Sequence, residues 1–186
     1  MSKSRCAWVS ADPLYIKYHD TEWGVPVYDD HKLFEFLILE TFQAGLSWLT
    51  ILRRRENFRK AFDQFDVVKV SRYKQARIDK LLQNEGIIRN KGKIEAAIIN
   101  AQNFIKIQSE FGSFSKYIWG FVDGKPIVNR PTSIKQVPPT TALSEAISKD
   151  LKKRGFKFVG STVMYAHMQA TGMVDDHTRD CFRCPH

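Results

Sequence analysis

Cysteine is scarce, with three residues in a chain of 186. Three cysteines cannot all pair within the chain, so a disulfide framework is excluded as the organising device. In a reducing cytosol, the compartment expected here, cysteines serve as metal ligands or buried thiols. Long apolar runs are also missing. The longest stretch free of Asp, Glu, Lys and Arg is 158–174, FVGSTVMYAHMQATGMV. It is too polar and too short to span a bilayer comfortably. The first ten residues, MSKSRCAWVS, hold no apolar core, so neither a signal peptide nor a membrane partner is expected. Sustained period-2 alternation, internal repeats, low-complexity tracts and long linkers are all absent. What remains is an all-α reading, with one domain over 1–186.

Acidic residues are in deficit. Lys and Arg number 29 against 20 Asp and Glu, a formal net charge of +9. The imbalance is segregated. RRRENFRK at 53–60 and KDLKKRGFK at 149–157 each carry five bases and one acid, whereas residues 10–45 carry seven acids and two bases. Such segregation fits a basic face turned toward a polyanion.

Helical signals fill the chain. Asp12 before Pro13 opens a helix closed by Gly24 and Pro26. Asp30 is expected to cap HKLFEFLILETFQA, which is apolar nearly all round and therefore buried. Gly45 interrupts it, and LSWLTILRRRENFRKAFDQF follows. Asp66 caps VVKVSRY. QARIDKLLQNEG and KGKIEAAIINAQNFIKIQSEFG each end at a glycine in the C′ manner. FSKYIWGF is short, DGKP is a turn, ALSEAISKDLKKRG follows a Pro pair, and 160–172 is a last buried helix. The stretch 122–140 is the one plausible junction between two lobes.

Three groups of residues carry chemistry. The last dozen positions hold His177 and Cys181, four apart and so on one face of a helical turn. Cys6 and His19 sit near the other end of the chain. Together they make a Cys2His2 set suited to tetrahedral zinc, and four protein ligands leave no open position, so that zinc is structural. The alternative is scattered Cys and His. Cys184 competes through Cys181-x-x-Cys184, and His31, His167 and His186 compete more weakly.

Glu40 is the only ionisable residue between Phe36 and Leu52. A lone carboxylate in apolar surroundings costs several kcal/mol, which proteins retain for a structural ion pair or for function. Trp8, Tyr15, Tyr18, Trp23 and Trp48 all fall in the first 48 residues. Aromatic faces around one carboxylate suit a flat, nitrogen-rich, cationic ring, although each aromatic alone also reads as plain core. In 81–98, LLQNEGIIRNKGKIEAAI, a tight turn joins two helices. Its backbone N–H groups, with Arg89, Lys91 and Lys93, could hold phosphate without reading sequence. An ordinary helix–helix turn with solvated bases is the other reading.

CAWVSADPLYIKYHDTEWGVP, ETFQAGLSW, GIIRNKGKI, KKRGFKFVGSTVMYAHMQATGMVDDH and Cys181 occur in this order over nearly the whole chain. In these stretches the sequence closely resembles the bacterial 3-methyladenine DNA glycosylase I family, within the helix-hairpin-helix glycosylase superfamily. The resemblance implies two helical lobes around a cleft, with zinc joining the termini through Cys6, His19, His177 and Cys181. It implies that Glu40, Tyr18 and Trp48 contact a base flipped out of DNA, with Trp8 and Tyr15 forming the pocket. It further implies that the hairpin at 86–91, with Gly86, Ile88, Arg89 and Lys91, holds the DNA backbone. Gly45 and Leu46 sit at the gap left by the extruded nucleotide, Leu46 as an apolar wedge. The implied activity is hydrolytic excision of 3-methyladenine from alkylated double-stranded DNA, the first step of base excision repair. A monomer in the bacterial cytoplasm is expected.

One departure from the wider superfamily stands out. Many relatives in the superfamily carry an Asp roughly two turns or more into the helix after the hairpin, whereas AAIINAQNFIKIQS at 96–109 has no acid. The family resembled lacks that Asp too, so the source of water activation is open. No lysine stands out as a Schiff-base nucleophile, so no strand cleavage is expected. Two rival classes are a non-catalytic DNA-binding module with structural zinc and a zinc hydrolase or deaminase. The latter calls for a His-x-Glu motif, which does not occur.

Overall fold

The computed structural model describes residues 3–185. Among these it holds nine α-helices and one two-stranded ribbon. α1 (Pro13–Thr21) starts as its sequence dictates, with the Asp12 carboxylate accepting from the Leu14 amide and Pro13 at the first turn. α2 (Asp30–Gln43) begins one residue earlier than expected. Asp29 caps it, accepting from the Lys32 amide. The Asp30 carboxylate instead accepts the Phe114 and Ser115 amides and the Gln108 side chain. It therefore satisfies the amides of a different helix start, a tertiary use that no local capping rule signals.

α2 is the axis of the core. Every residue from Leu33 to Phe42 is buried, as its all-round apolarity requires. Around it lie α3 (Trp48–Ala61), α4 (Val67–Ser71), α5 (Gln75–Gln83), α6 (Lys91–Phe111), α7 (Phe114–Trp119), α8 (Ala142–Lys153) and α9 (Ser161–Ala170). Phe34, Phe42, Phe58, Phe62, Phe65, Phe104 and Phe114 are fully buried among them. Ser47, Asp66, Asn90, Ser113 and Thr141 cap α3, α4, α6, α7 and α8 through their side chains. Gly112 ends α6 with φ +84° as a C′ glycine. α5 does not end that way. It stops at an extended Asn84, whose Oδ1 accepts the Gly86 amide.

The all-α expectation misses one parallel pairing, β1 (Ile127–Val128) with β2 (Val174–Asp175). Two residues per strand leave no alternation to read. Other long-range backbone bonds tie the two ends of the chain to the rest. The Gly24 amide donates to Gln169 O, Val27 to Thr171 O and Phe182 to Ser4 O.

The basic run 53–60 is mostly structural. Arg55 bonds Glu22 and Glu35, Arg59 bonds Glu35 and Glu56, and Arg53 bonds Asp12. Arg154 of the second run bonds Glu110 and Asp150. These arginines are paired with carboxylates of the same chain, Arg55 with Glu35 in the interior and Arg53 with Asp12 at the surface.

Candidate active site and metal centre

Two carboxylates on α2 meet opposite fates. Glu35 lies 2.6 Å from Arg55 and 2.8 Å from Arg59. Glu40, buried in the last turn, has an Oε2 with no hydrogen-bond partner among the described residues. The structural ion pair that would have explained Glu40 is therefore made by Glu35 instead. Burial alone pushes the Glu40 carboxyl up to about 8, so it is mostly protonated at neutral pH.

Glu40 opens onto a cavity of about 300 Å³. α1 contributes Tyr15 and Tyr18, three apart and therefore on one helical face. α3 contributes Trp48 at its first residue, and Trp8 comes from the segment before α1. Trp48 lies 5.4 Å from Tyr18 and Trp8 lies 5.0 Å from Tyr15, centroid to centroid. The indole N–H groups of Trp8 and Trp48 are buried and unpartnered, like Glu40 Oε2. Buried polar atoms are nearly always satisfied, so three orphans on one cavity point to a ligand. Burial, with a smaller contribution from Glu40, raises the phenol pKa of both Tyr15 and Tyr18, keeping both neutral.

All five expected pocket residues, Glu40, Tyr18, Trp48, Trp8 and Tyr15, come together. Trp23, Gln43, Ile134, Val137 and Gln169 also line the cavity. Trp23 was legible as an aromatic beside the others. Ile134 opens a short 3-10 helix that Val137 caps, and neither carries a signal of its own. Gln169 donates to Asp176, a buried carboxylate that also accepts from Tyr165 and Asn129.

The metal candidates adjoin the pocket. Cys6, His19 and Cys181 are buried, with ligand atoms all within 4.8 Å of one another. His19 Nε2 lies 3.5 Å from Cys181 Sγ, and His19 Nδ1 bonds Asp20 at 2.8 Å. His177 stands beside this trio, its ring 5.1 Å from that of His19. Its Nδ1 bonds Asp175 at 2.7 Å and its buried Nε2 is unpartnered. Carboxylates on both Nδ1 atoms leave each Nε2 free, the arrangement that orients metal-binding histidines. Burial pushes the Cys6 thiol up to about 11, so a metal taking its thiolate would displace a proton. The competitors do not join the trio. Cys184 Sγ faces Pro185 O, His31 bonds Gln64 O, and His167 is buried in α9. His186 lies outside the described residues.

Pocket and metal set share walls. Tyr18 and His19 are adjacent on α1, one facing the cavity and the other the sulfurs. Trp8 packs edge-on against His19 at 5.3 Å and Trp23 against His177 at 4.6 Å.

The expected DNA-contacting residues fall on two turns. Between α2 and α3, Gly45 has φ +82° with open space at its Cα, and Leu46 is 39% exposed. Between α5 and α6, Arg89 and Lys91 are exposed, paired loosely with Glu85 at 3.6 Å and Glu95 at 3.8 Å. Ile88 packs partly on the core, and a side chain at Gly86 would press on Asn57 at 3.0 Å. Lys93 does not join them. It is buried, with its ammonium turned inward.

The family described as methyladenine glycosylase matches residues 8–184. DNA-3-methyladenine glycosylase 1 of Escherichia coli K12 is 51% identical over 177 residues, 95% of each chain. A crystal structure of 3-methyladenine DNA glycosylase I superposes with TM-score 0.96 at 50% identity, covering 98% of this chain and 100% of that one. A variant of a 3-methyladenine DNA glycosylase I in complex with 3-methyladenine superposes with TM-score 0.95 at 38% identity, covering 98% of each chain.

Proposed function

The chain belongs to the methyladenine glycosylase family, and on that premise we propose that it excises 3-methyladenine from alkylated double-stranded DNA. The observation that carries this reading is the aromatic cavity with its three unpartnered polar atoms, Glu40 Oε2 and the indole N–H groups of Trp8 and Trp48. A base reaches such a cavity only when extruded from the duplex, at a cost of a few kcal/mol. Leu46, exposed on its turn, fills the gap as an apolar wedge. The 86–91 turn holds the backbone through Arg89, Lys91 and main-chain amides, contacts that position without reading sequence.

Alkylation at N3 makes adenine cationic and weakens its glycosidic bond. Trp and Tyr faces favour that electron-poor ring over the neutral base. Glu40, protonated through burial, releases its proton to solvent as the cation enters, because an adjacent positive charge lowers a carboxyl pKa. The resulting carboxylate accepts from the exocyclic amine. An unmethylated adenine brings no charge to draw the proton off Glu40, forgoes the carboxylate contact and is rejected. Water adds to sugar C1′ as the C1′–N9 bond breaks. The bond pair moves into the ring, the base leaves neutral, and the water's second proton passes to solvent. The reaction is monofunctional, on a monomer with a single domain of two helical lobes about a cleft.

Zinc is the metal this donor set fits, two sulfurs and two imidazole nitrogens from Cys6, His19, His177 and Cys181. When bound it supplies a structural link between the chain ends rather than chemistry at the base.

The test is release of free base from methylated duplex DNA by wild type, by Glu40→Gln, and after mild chelation. The expected result is release of 3-methyladenine that survives chelation and falls in the variant. No release from folded, metal-replete protein would leave a DNA-binding module.

A further inference from the structure

Lys93 has no place in the mechanism above, and its position is costly. It is 7% exposed and sits in the first turn of α6, where the Asn90 side chain accepts its amide at 3.0 Å. A cation there opposes the helix dipole. Among the described residues no carboxylate pairs with it. Burial lowers its pKa accordingly. Its Nζ instead donates to Phe42 O at 2.9 Å and Ala44 O at 2.6 Å.

Those two carbonyls close the C-terminal end of α2, the helix that carries Glu40. The last carbonyls of a helix have no internal partners and favour a cation. Immediately beyond lies a tight turn. Ala44 has φ −47° and ψ 116°, Gly45 has φ +82°, and the Leu46 amide donates back to Gln43 O at 2.7 Å. This is a type II turn with glycine where the positive φ is required. Gln43, which lines the cavity, adds a side-chain bond to Leu46 O at 3.3 Å. Gly45 has open space around it and Leu46 is exposed, so packing alone does not hold the tip.

We propose that Lys93 is a positioning residue for base extrusion. Its ammonium clamps the Phe42 and Ala44 carbonyls, fixes the turn that presents Leu46 to the duplex, and ties that turn to the α6 end of the 86–91 hairpin. The two segments that grip DNA thereby move as one body. This inference rests on the wedge role of Leu46 in the function proposed above. It distinguishes Lys93 from Arg89 and Lys91, whose charges face solvent.

Lys93→Met keeps the stem and removes the donors. The measurements are single-turnover excision from methylated duplex, excision from the same strand without its complement, and binding of free 3-methyladenine followed by tryptophan fluorescence. Misplacing a positioning group by about 1 Å costs up to about a hundredfold, so the duplex rate is expected to fall about tenfold or more. Single-strand excision and free-base binding, which need no wedge, stay near wild type, and Lys93→Arg recovers part of the duplex rate. Adding Leu46→Ala to Lys93→Met causes no further loss, because both act through one element. Should Lys93→Met misfold, Lys93→Gln, which loses the charge and reach of the ammonium and keeps two amide N–H donors, is measured in its place.

A wild-type duplex rate in the folded variant overturns the inference, as do equal losses on both substrates or losses that multiply in the double variant. A duplex rate untouched by Leu46→Ala removes the wedge and this inference together. Absence of any base release by wild type instead strikes the proposed function itself.

Discussion

Replacing Glu40 by Gln should make the protein more stable as it makes it less useful, by an amount set by pH. Burial raises the carboxyl from 4.5 to about 8. Between those values the folded protein holds a proton that the unfolded chain has released. Stability is therefore full below pH 4.5 and is lost as pH rises through 8. Each unit of separation is worth about 1.36 kcal/mol. Integrating the difference in bound protons, Glu40 withdraws about 1 kcal/mol at pH 5 and about 4 to 5 kcal/mol at pH 8.5. Glutamine does not titrate, and any fixed cost of burying its amide is the same at both values. The expected outcome is a stability gap between variant and wild type that widens by about 4 kcal/mol from pH 5 to pH 8.5. Denaturant unfolding of both proteins at constant ionic strength measures it. Parallel stability curves would refute the reasoning, because they would mean that Glu40 finds a partner or water in the folded state.

Two further perturbations probe the same logic elsewhere. His167 is fully buried with neither ring nitrogen partnered among the described residues, and burial drives its pKa to about 4. Wild type should lose about 2 kcal/mol between pH 7.5 and pH 5 that His167→Phe does not, seen by denaturation at both values; equal losses would contradict it. Gly172 has φ +67°, and a Cβ there would lie 2.3 Å from the Val25 carbonyl carbon. Gly172→Ala should cost about 3 kcal/mol or more because the clash is with backbone, and a thermal midpoint near wild type would contradict it.

Much of the fold is local and therefore legible. Capping side chains at Asp12 and Asp66 and the C′ glycine at 112 act on their own helices, so their identity and spacing suffice. The burial of α2 follows from a helix with no polar face. The pocket aromatics and the Cys and His candidates are conspicuous as residue types, and the resemblance to a known family supplied the roles that spacing left open.

What only the tertiary structure decides is which charge meets which. Sequence alone marked Glu40 as a carboxylate in apolar surroundings and left open whether an arginine answers it. The packing of α3 on α2 sends Arg55 and Arg59 to Glu35 and leaves Glu40 unpaired at the cavity. Asp30 reads as a cap for its own helix but serves α7, and Lys93 reads as a surface base but is folded beneath the Gln43–Leu46 turn. The chain ends likewise gather Cys6, His19 and Cys181 only through long-range packing. Local sequence sets propensities within a few residues of itself. Whether a charge is paired, buried or solvated depends on neighbours dozens of positions away, and those are chosen by how the helices pack.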